Sequence, residues 1–403
     1  MEFQLSDDSL PSAFITEEQQ RELRGRPPAT GAWRAGDPIG NRRFSDTQEL
    51  SLESGKTIRA RLAFETWGEL NAQRDNAVLV LHALTGDSHT FGGPGNGHKT
   101  GGWWNGVVGP GGVVDTKKYF VVTPNILGGC QGSTGPASLA PNGNEYGPEF
   151  PTLTIRDQAR SVKLLAEELE INRWAAVVGG SMAGMHAMEL AIEFPESVGR
   201  LALLAAPPFS TADQIAYNSL QLEAIRSDPA WAAGRYYDAK AGEGPHRGLA
   251  LARRMAMMGY RSPDELNERF GRSWQSQVSP ILGKGKFAVE SYLDFHGNKF
   301  VRRFDANSYL ILVSAMSSHD VGRDRASVDA ALSQINCPTL LLGISSDRQF
   351  PLSGQQHIAS SIAGKLVGGA VEVLDSEYGH DGFLIETDRV AVALAKLLDA
   401  DMA

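Results

Sequence analysis

Only two cysteines, Cys130 and Cys337, occur among the 403 residues, and neither lies in a CxxC pair or a ligand-spaced set. That poverty excludes a disulfide framework and leaves no cysteine-based zinc motif, so no metal is expected. Long apolar runs are also missing: the longest, such as 77–81 and 201–206, fall far short of the roughly 20 residues that cross a bilayer. No basic run is present and the net charge is −9, which argues against nucleic acid and an anionic membrane surface as partners. The opening residues lack a basic segment followed by an apolar one, so no signal peptide is expected and a cytoplasmic location follows.

The composition is that of a folded chain: 42% of residues are hydrophobic and 21% charged, enough to bury a large core. Residues 1–45 read as a polar leader, mobile or draped on the surface, with one short helix at most, around 16–23. From there to 206, strand-like runs (58–64, 77–81, 119–123, 175–178, 201–204) alternate with helical stretches at 157–169 and 182–193. That alternation predicts an α/β fold with a mostly parallel sheet. Between 207 and 330 the strand signal lapses and helix-like segments take over (211–228, 248–258, 307–318), the pattern of an inserted helical cap. Strands at 339–343 and 370–374 and a last helix at 387–400 complete the core over 331–403.

The segment 177–184 (VVGGSMAG) runs from a strand through small residues around Ser181 into a helix, the pattern of a nucleophile elbow. Small residues are needed two before and two after the serine, where side chains collide with the neighbouring strand and helix. Gly179 and Ala183 meet that need, although the strict G-x-S-x-G form has glycine at the second place. A glycine-rich turn with an ordinary N-cap serine fits the same letters. A serine hydroxyl needs a base to take its proton and an acid to orient that base. Of nine histidines, His380 alone follows a strand, precedes the last helix and lies downstream of a suitable acid, Asp347, which sits just past the 339–343 strand. The oxyanion of an acyl-transfer intermediate needs two N–H donors, expected from Met182 and from Leu84 in the loop after 77–81.

Taken together, eight segments resemble the homoserine O-acetyltransferases and their serine or homoserine O-acyltransferase relatives in the α/β-hydrolase superfamily. They are 82–87 (HALTGD), 125–136 (NILGGCQGSTGP), 154–158 (TIRDQ), the elbow, 211–215 (TADQI), 303–306 (RFDA), 318–323 (SHDVGR) and 378–383 (YGHDGF). The resemblance implies ping-pong acyl transfer, with acyl-CoA as donor substrate, acetyl before succinyl, no resident cofactor, a role in methionine biosynthesis and a homodimer formed through the cap. It implies that Asp381 contacts the substrate amine and that Tyr217 belongs to the same substrate site. Two residues before TADQI such proteins carry an arginine expected to pair with the amino-acid carboxylate. Here that position is Phe209, which leaves the acceptor open among homoserine, serine and a related hydroxyl compound; Arg261 is the candidate substitute. A hydrolase, in which water releases the same acyl-enzyme, is one alternative, and an acyltransferase of specialised metabolism with a non-amino-acid acceptor is the other. Arg156 and Asp320 fit either a site or a brace made of ion pairs.

Overall fold

The computed structural model describes residues 21–401 except residue 96, so the short helix expected around 16–23 falls mostly outside the described residues. The main sheet has eight strands: β1 (Arg43–Phe44), β2 (Ala63–Trp67), β3 (Ala77–Leu81), β4 (Phe120–Pro124), β5 (Ala176–Gly180), β6 (Leu201–Leu204), β7 (Thr339–Ile344) and β8 (Glu372–Leu374). Their spatial order is β1-β2-β4-β3-β5-β6-β7-β8. β2 runs antiparallel to β1 and β4, and the strands from β4 to β8 are mutually parallel. β3 to β7 are buried at every position, because helices cover both faces of the sheet. Their apolar runs therefore read as continuous and not alternating.

Helices α1 (Ile155–Glu168) and α2 (Met182–Glu193) pack on one another, and α2 also lies on β5 and β6. α1 begins earlier than the apolar pattern suggests, because Thr154 and Asp157 form a capping box that satisfies its first N–H groups. Between β6 and β7 come α3 (Ala212–Arg226), α4 (His246–Tyr260), α5 (Pro263–Phe270), α6 (Ala288–Phe300) and α7 (Ala306–Ser317). α4 packs between α3 and α6 and also meets the turn Gly379–Asp381. The short α8 (Val328–Leu332) also precedes β7, and the chain closes through α9 (Leu352–Ser361), β8, α10 (Gly382–Ile385) and α11 (Thr387–Leu398).

Two expectations are corrected. Residues 58–64 do not form one strand: Thr57–Ala60 pairs with Gln48–Ser51 in a separate ribbon, and only Ala63–Trp67 enters the main sheet. The break falls where side chains replace ladder partners, with the N–H groups of Arg61, Leu62 and Ala63 donating to the hydroxyls of Thr134, Ser45 and Ser133. The leader is not draped throughout either. Thr30 and Ala32 are buried, the Gly31 N–H donates to the Phe304 carbonyl (3.1 Å), the Trp33 N–H to the Cys130 carbonyl (2.9 Å), and Arg43–Phe44 is a sheet strand.

Register places the chemistry-bearing loops together. Leu81 on β3 is level with Gly179 on β5, and Gly180 with Leu204 on β6. The segments that carry Leu84, Ser181, Asp347 and His380 therefore all leave the carboxyl edge of one sheet, where open α/β sheets form their sites.

Candidate active site

Ser181 sits between the last residue of β5 and the first of α2 with φ 60° and ψ −130°, a left-handed conformation that costs a non-glycine residue about 1–3 kcal/mol. Its N–H donates to the Leu204 carbonyl (2.8 Å) and its carbonyl accepts from Gly184 (2.9 Å), which holds the turn. A Cβ at Gly179 would overlap the Ala183 carbonyl. This is the steric demand read from the sequence, and alanine at 183 satisfies it because the crowding is against its backbone.

The Ser181 hydroxyl lies 2.8 Å from His380 Nε2, and His380 Nδ1 lies 2.7 Å from Asp347 Oδ2. The other carboxylate oxygen of Asp347 accepts from the N–H groups of Gln349 (2.8 Å) and Phe350 (2.9 Å), so the acid cannot rotate away. All three residues are buried. With Nδ1–H donating to the carboxylate, Nε2 is left as the acceptor of the serine proton, which is the arrangement a serine nucleophile requires. The rings of Phe350 (5.0 Å) and Phe383 (5.7 Å) meet the imidazole edge-on, and Tyr260 lies at 6.1 Å. Gly379, with φ 65°, lets the histidine turn approach the end of α4 closely: a Cβ there would stand 2.7 Å from the Ser262 nitrogen and the Tyr260 carbonyl.

Electrostatics separates His380 from other buried histidines. Burial works against its charged form, but the Asp347 charge and hydrogen bond, helped by Asp381, outweigh burial and hold His380 above the usual 6.5. Burial takes His186 and His319 down to about 3, so they stay neutral. Burial pushes the Asp381 carboxyl up against the opposing charges of Arg261, Arg253 and His380.

Leu84 lies in a turn held by the Gly86 N–H on the Ala83 carbonyl (2.9 Å) and by His82, whose Nε2 accepts from Ile126 (3.1 Å) while Nδ1 faces Ala83 O (2.8 Å). Among the described residues the Leu84 N–H has no hydrogen-bond partner. Met182 opens α2 and has no intrahelical acceptor for its own N–H.

Arg261 places Nε 3.9 Å from Asp381 Oδ2 and 3.3 Å from the Tyr292 hydroxyl, while its Nη1 is buried with no hydrogen-bond partner. Tyr217 lines a cavity of about 260 Å³ with Met258, Gly259, Met316, Arg348 and Phe350. Phe350 thus joins that cavity to His380. Phe209 is not among the residues lining that cavity: its ring meets His357 on α9 at 6.1 Å and its backbone bridges Asp320. Arg156 and Asp320 form a brace. Arg156 pairs with Glu53 and Glu189 (both 3.1 Å) and donates to the carbonyls of Asp320 and Arg323, while Asp320 accepts from Gly322. Sequence reading missed Arg253, which lies over the Tyr260 ring at 5.2 Å. The signal was the spacing of residues 253, 257 and 260 along one face of α4.

A family model described as the alpha/beta hydrolase fold matches residues 76–387. Homoserine O-acetyltransferase of Leifsonia xyli is 60% identical over 396 residues, covering 98% of each chain. The crystal structure of homoserine O-acetyltransferase from Bacillus anthracis superposes with a TM-score of 0.80 at 26% identity, covering 90% of this chain and 98% of that one. The acetyl esterase MekB superposes with a TM-score of 0.75 at 25% identity, covering 90% and 97%. With the relay at the carboxyl edge of an eight-stranded sheet and a relative of this identity over nearly its whole length, the chain belongs to the homoserine O-acetyltransferases, O-acyltransferases of the α/β-hydrolase fold.

Proposed function

We propose that the chain transfers an acetyl group from acetyl-CoA to the hydroxyl of homoserine through an acyl-enzyme on Ser181. The observation that carries this reading is the buried hydrogen-bond chain Ser181–His380–Asp347 in a protein 60% identical to a homoserine O-acetyltransferase. The Ser181 Oγ–H proton passes to His380 Nε2 as Oγ attacks the thioester carbonyl. The N–H groups of Leu84 and Met182 receive the oxyanion. Collapse breaks the C–S bond, and His380 returns its proton to the departing thiolate. The acceptor hydroxyl then gives its proton to His380 as its oxygen attacks the acetyl carbon, and collapse of this second intermediate breaks the Ser181 Oγ–C bond, with the proton returning from His380 to Oγ.

For the acceptor, Asp381 and Arg261 offer opposite charges side by side, matching an amino acid's ammonium and carboxylate. The unpartnered Nη1 of Arg261 is a donor available to a carboxylate, in the role that Phe209 does not fill. A homodimer through the cap belongs to this reading, since Ile215 and Leu220 on α3 and Leu251 and Met258 on α4 are exposed; light scattering giving a monomer mass would remove it.

Acetyl esters are also the substrates in the name of MekB, so the relay by itself does not decide between alcohol and water. The deciding experiment follows thiol release from acetyl-CoA with and without L-homoserine and identifies the product by mass. Release that depends on homoserine and gives O-acetylhomoserine supports the proposal; release indifferent to the alcohol, giving acetate, overturns it in favour of a hydrolase.

A further inference from the structure

Glu65 on β2 is wholly buried and directs one carboxylate oxygen at each of two buried histidines of the loop that follows β3. His89 Nδ1 lies 2.9 Å from Oε2, and His98 Nε2 lies 3.0 Å from Oε1. The two imidazoles stack at 3.9 Å with their planes 9° apart, and the three ligating atoms lie within 4.8 Å of one another. The acyl-transfer steps use none of these groups.

The hydrogen-bond accounts of the cluster do not close with neutral protein groups alone. His89 Nε2 lies 3.1 Å from the Gly93 carbonyl, an acceptor only, so the single N–H of a neutral imidazole belongs there. Nδ1 then turns a lone pair toward a carboxylate oxygen at 2.9 Å, so either a second proton on the imidazole or a metal ion must lie between them. His98 Nε2 is buried and, although it stands 3.0 Å from Oε1, makes no hydrogen bond there, because the ring nitrogen is not directed at that oxygen. Ser88 already donates to that same oxygen at 2.9 Å.

We propose that Glu65, His89 and His98 bind one divalent transition-metal ion of the zinc class. Two imidazole nitrogens and a carboxylate are a donor set suited to such ions. The contact of His89 Nε2 with a backbone carbonyl is the outer interaction that orients a ligating imidazole. With metal–ligand bonds of about 2.0–2.1 Å, neighbouring ligand atoms of a tetrahedral ion stand roughly 3.3 Å apart, so the observed 2.9 and 3.0 Å need open by a few tenths of an ångström, and the stacked rings must turn out of parallel for both lone pairs to meet one ion. His89 lines one surface cleft and His98 another, which gives an ion and a solvent ligand a way in.

The ion would serve as a clamp. Gly92, Gly93, Gly95 and Gly97 lie between the two histidines, so the loop has little stiffness of its own. The same loop continues from Leu84 and reaches Trp104, whose indole N–H donates to the Phe383 carbonyl at 3.3 Å. Fixing His89 and His98 to β2 holds this connection between the oxyanion turn and the segment after His380. The reading of the site as an acyltransferase is not needed for this inference.

The test uses the full chain freed of metal with a chelator and then titrated with zinc and with cobalt(II), read by elemental analysis after gel filtration, visible absorption and the thermal midpoint. One retained zinc per chain, visible cobalt bands and a raised midpoint are expected, all lost in His98→Ala and Glu65→Gln and kept in Ser181→Ala. Failure of the wild-type chain to retain either ion would overturn the proposal and leave protonated histidines around Glu65. Retention undiminished in His98→Ala would overturn it as binding elsewhere. If Glu65→Gln does not fold, wild-type stoichiometry and the His98→Ala comparison decide.

Discussion

Replacing Asp347 with asparagine changes one atom's hydrogen-bonding sense at the far end of the relay. In the native site Oδ1 accepts two backbone N–H groups, from Gln349 and Phe350, while Oδ2 accepts from His380 Nδ1. The amide of Asp347→Asn can keep the first pair only by directing its carbonyl oxygen at them, which turns its NH2 toward His380. A donor facing Nδ1 forces the proton onto Nε2, so two donors then confront each other where Ser181 must give up its proton at 2.8 Å. The opposite orientation sets the NH2 against two backbone donors and costs more. The tautomer is therefore wrong while the packing is untouched, and kcat/KM for acetyl transfer should fall about 10⁴-fold, or about 5.4 kcal/mol of transition-state stabilisation. The assay is thiol release from acetyl-CoA with homoserine, alongside the thermal midpoint to show that the fold is kept. A loss below about tenfold would refute the assignment of Asp347 as the orienting acid.

The remaining predictions concern the elbow, the imidazole and the acceptor site. Gly179→Ala drives a Cβ into the Ala183 carbonyl and should destabilise the chain by about 3 kcal/mol or prevent folding, read by denaturant unfolding. Because the neutral imidazole is the base and His380 is held above 6.5, kcat/KM should fall as pH drops, with its acid midpoint above that value. Asp381→Asn removes one of the charges responsible and should move the midpoint down; an unmoved midpoint would assign that limb to another group. Arg261→Met should raise KM for homoserine by about 10- to 100-fold, the range for a lost charge-assisted hydrogen bond. Phe209→Ala, whose ring packs on His357, should change KM less than about twofold, and the reverse ranking would restore residue 209 to the acceptor site.

What is legible in the chain is what local physics dictates. The elbow declares itself because the crowding at Gly179 and Ala183 is set within a few residues, and helix 182–193 follows directly from it. His380 and Asp347 are legible because each follows a strand at the edge where this sheet gathers its loops. Residues 58–64 read as one strand and are not, because Ser45, Ser133 and Thr134, distant in sequence, take over the N–H groups at the break. Phe209 shows the same limit: its position relative to the threonine is visible, but its turn toward Asp320 and His357 depends on pairing with a segment about a hundred residues on. The Glu65, His89 and His98 cluster is hidden for a similar reason, since its carboxylate comes from an antiparallel strand and its histidines from a glycine-rich loop with no ligand-like spacing.

The central claim is that Ser181 carries the acetyl group between donor and acceptor. Mixing the protein with acetyl-CoA in the absence of acceptor, quenching in acid and measuring intact and peptide mass tests it directly. A single acetyl group on the peptide containing Ser181, discharged by added homoserine and absent from Ser181→Ala, is the predicted result. Turnover of acetyl-CoA with homoserine by a chain that never carries acetyl on that peptide, or by Ser181→Ala itself, would contradict it.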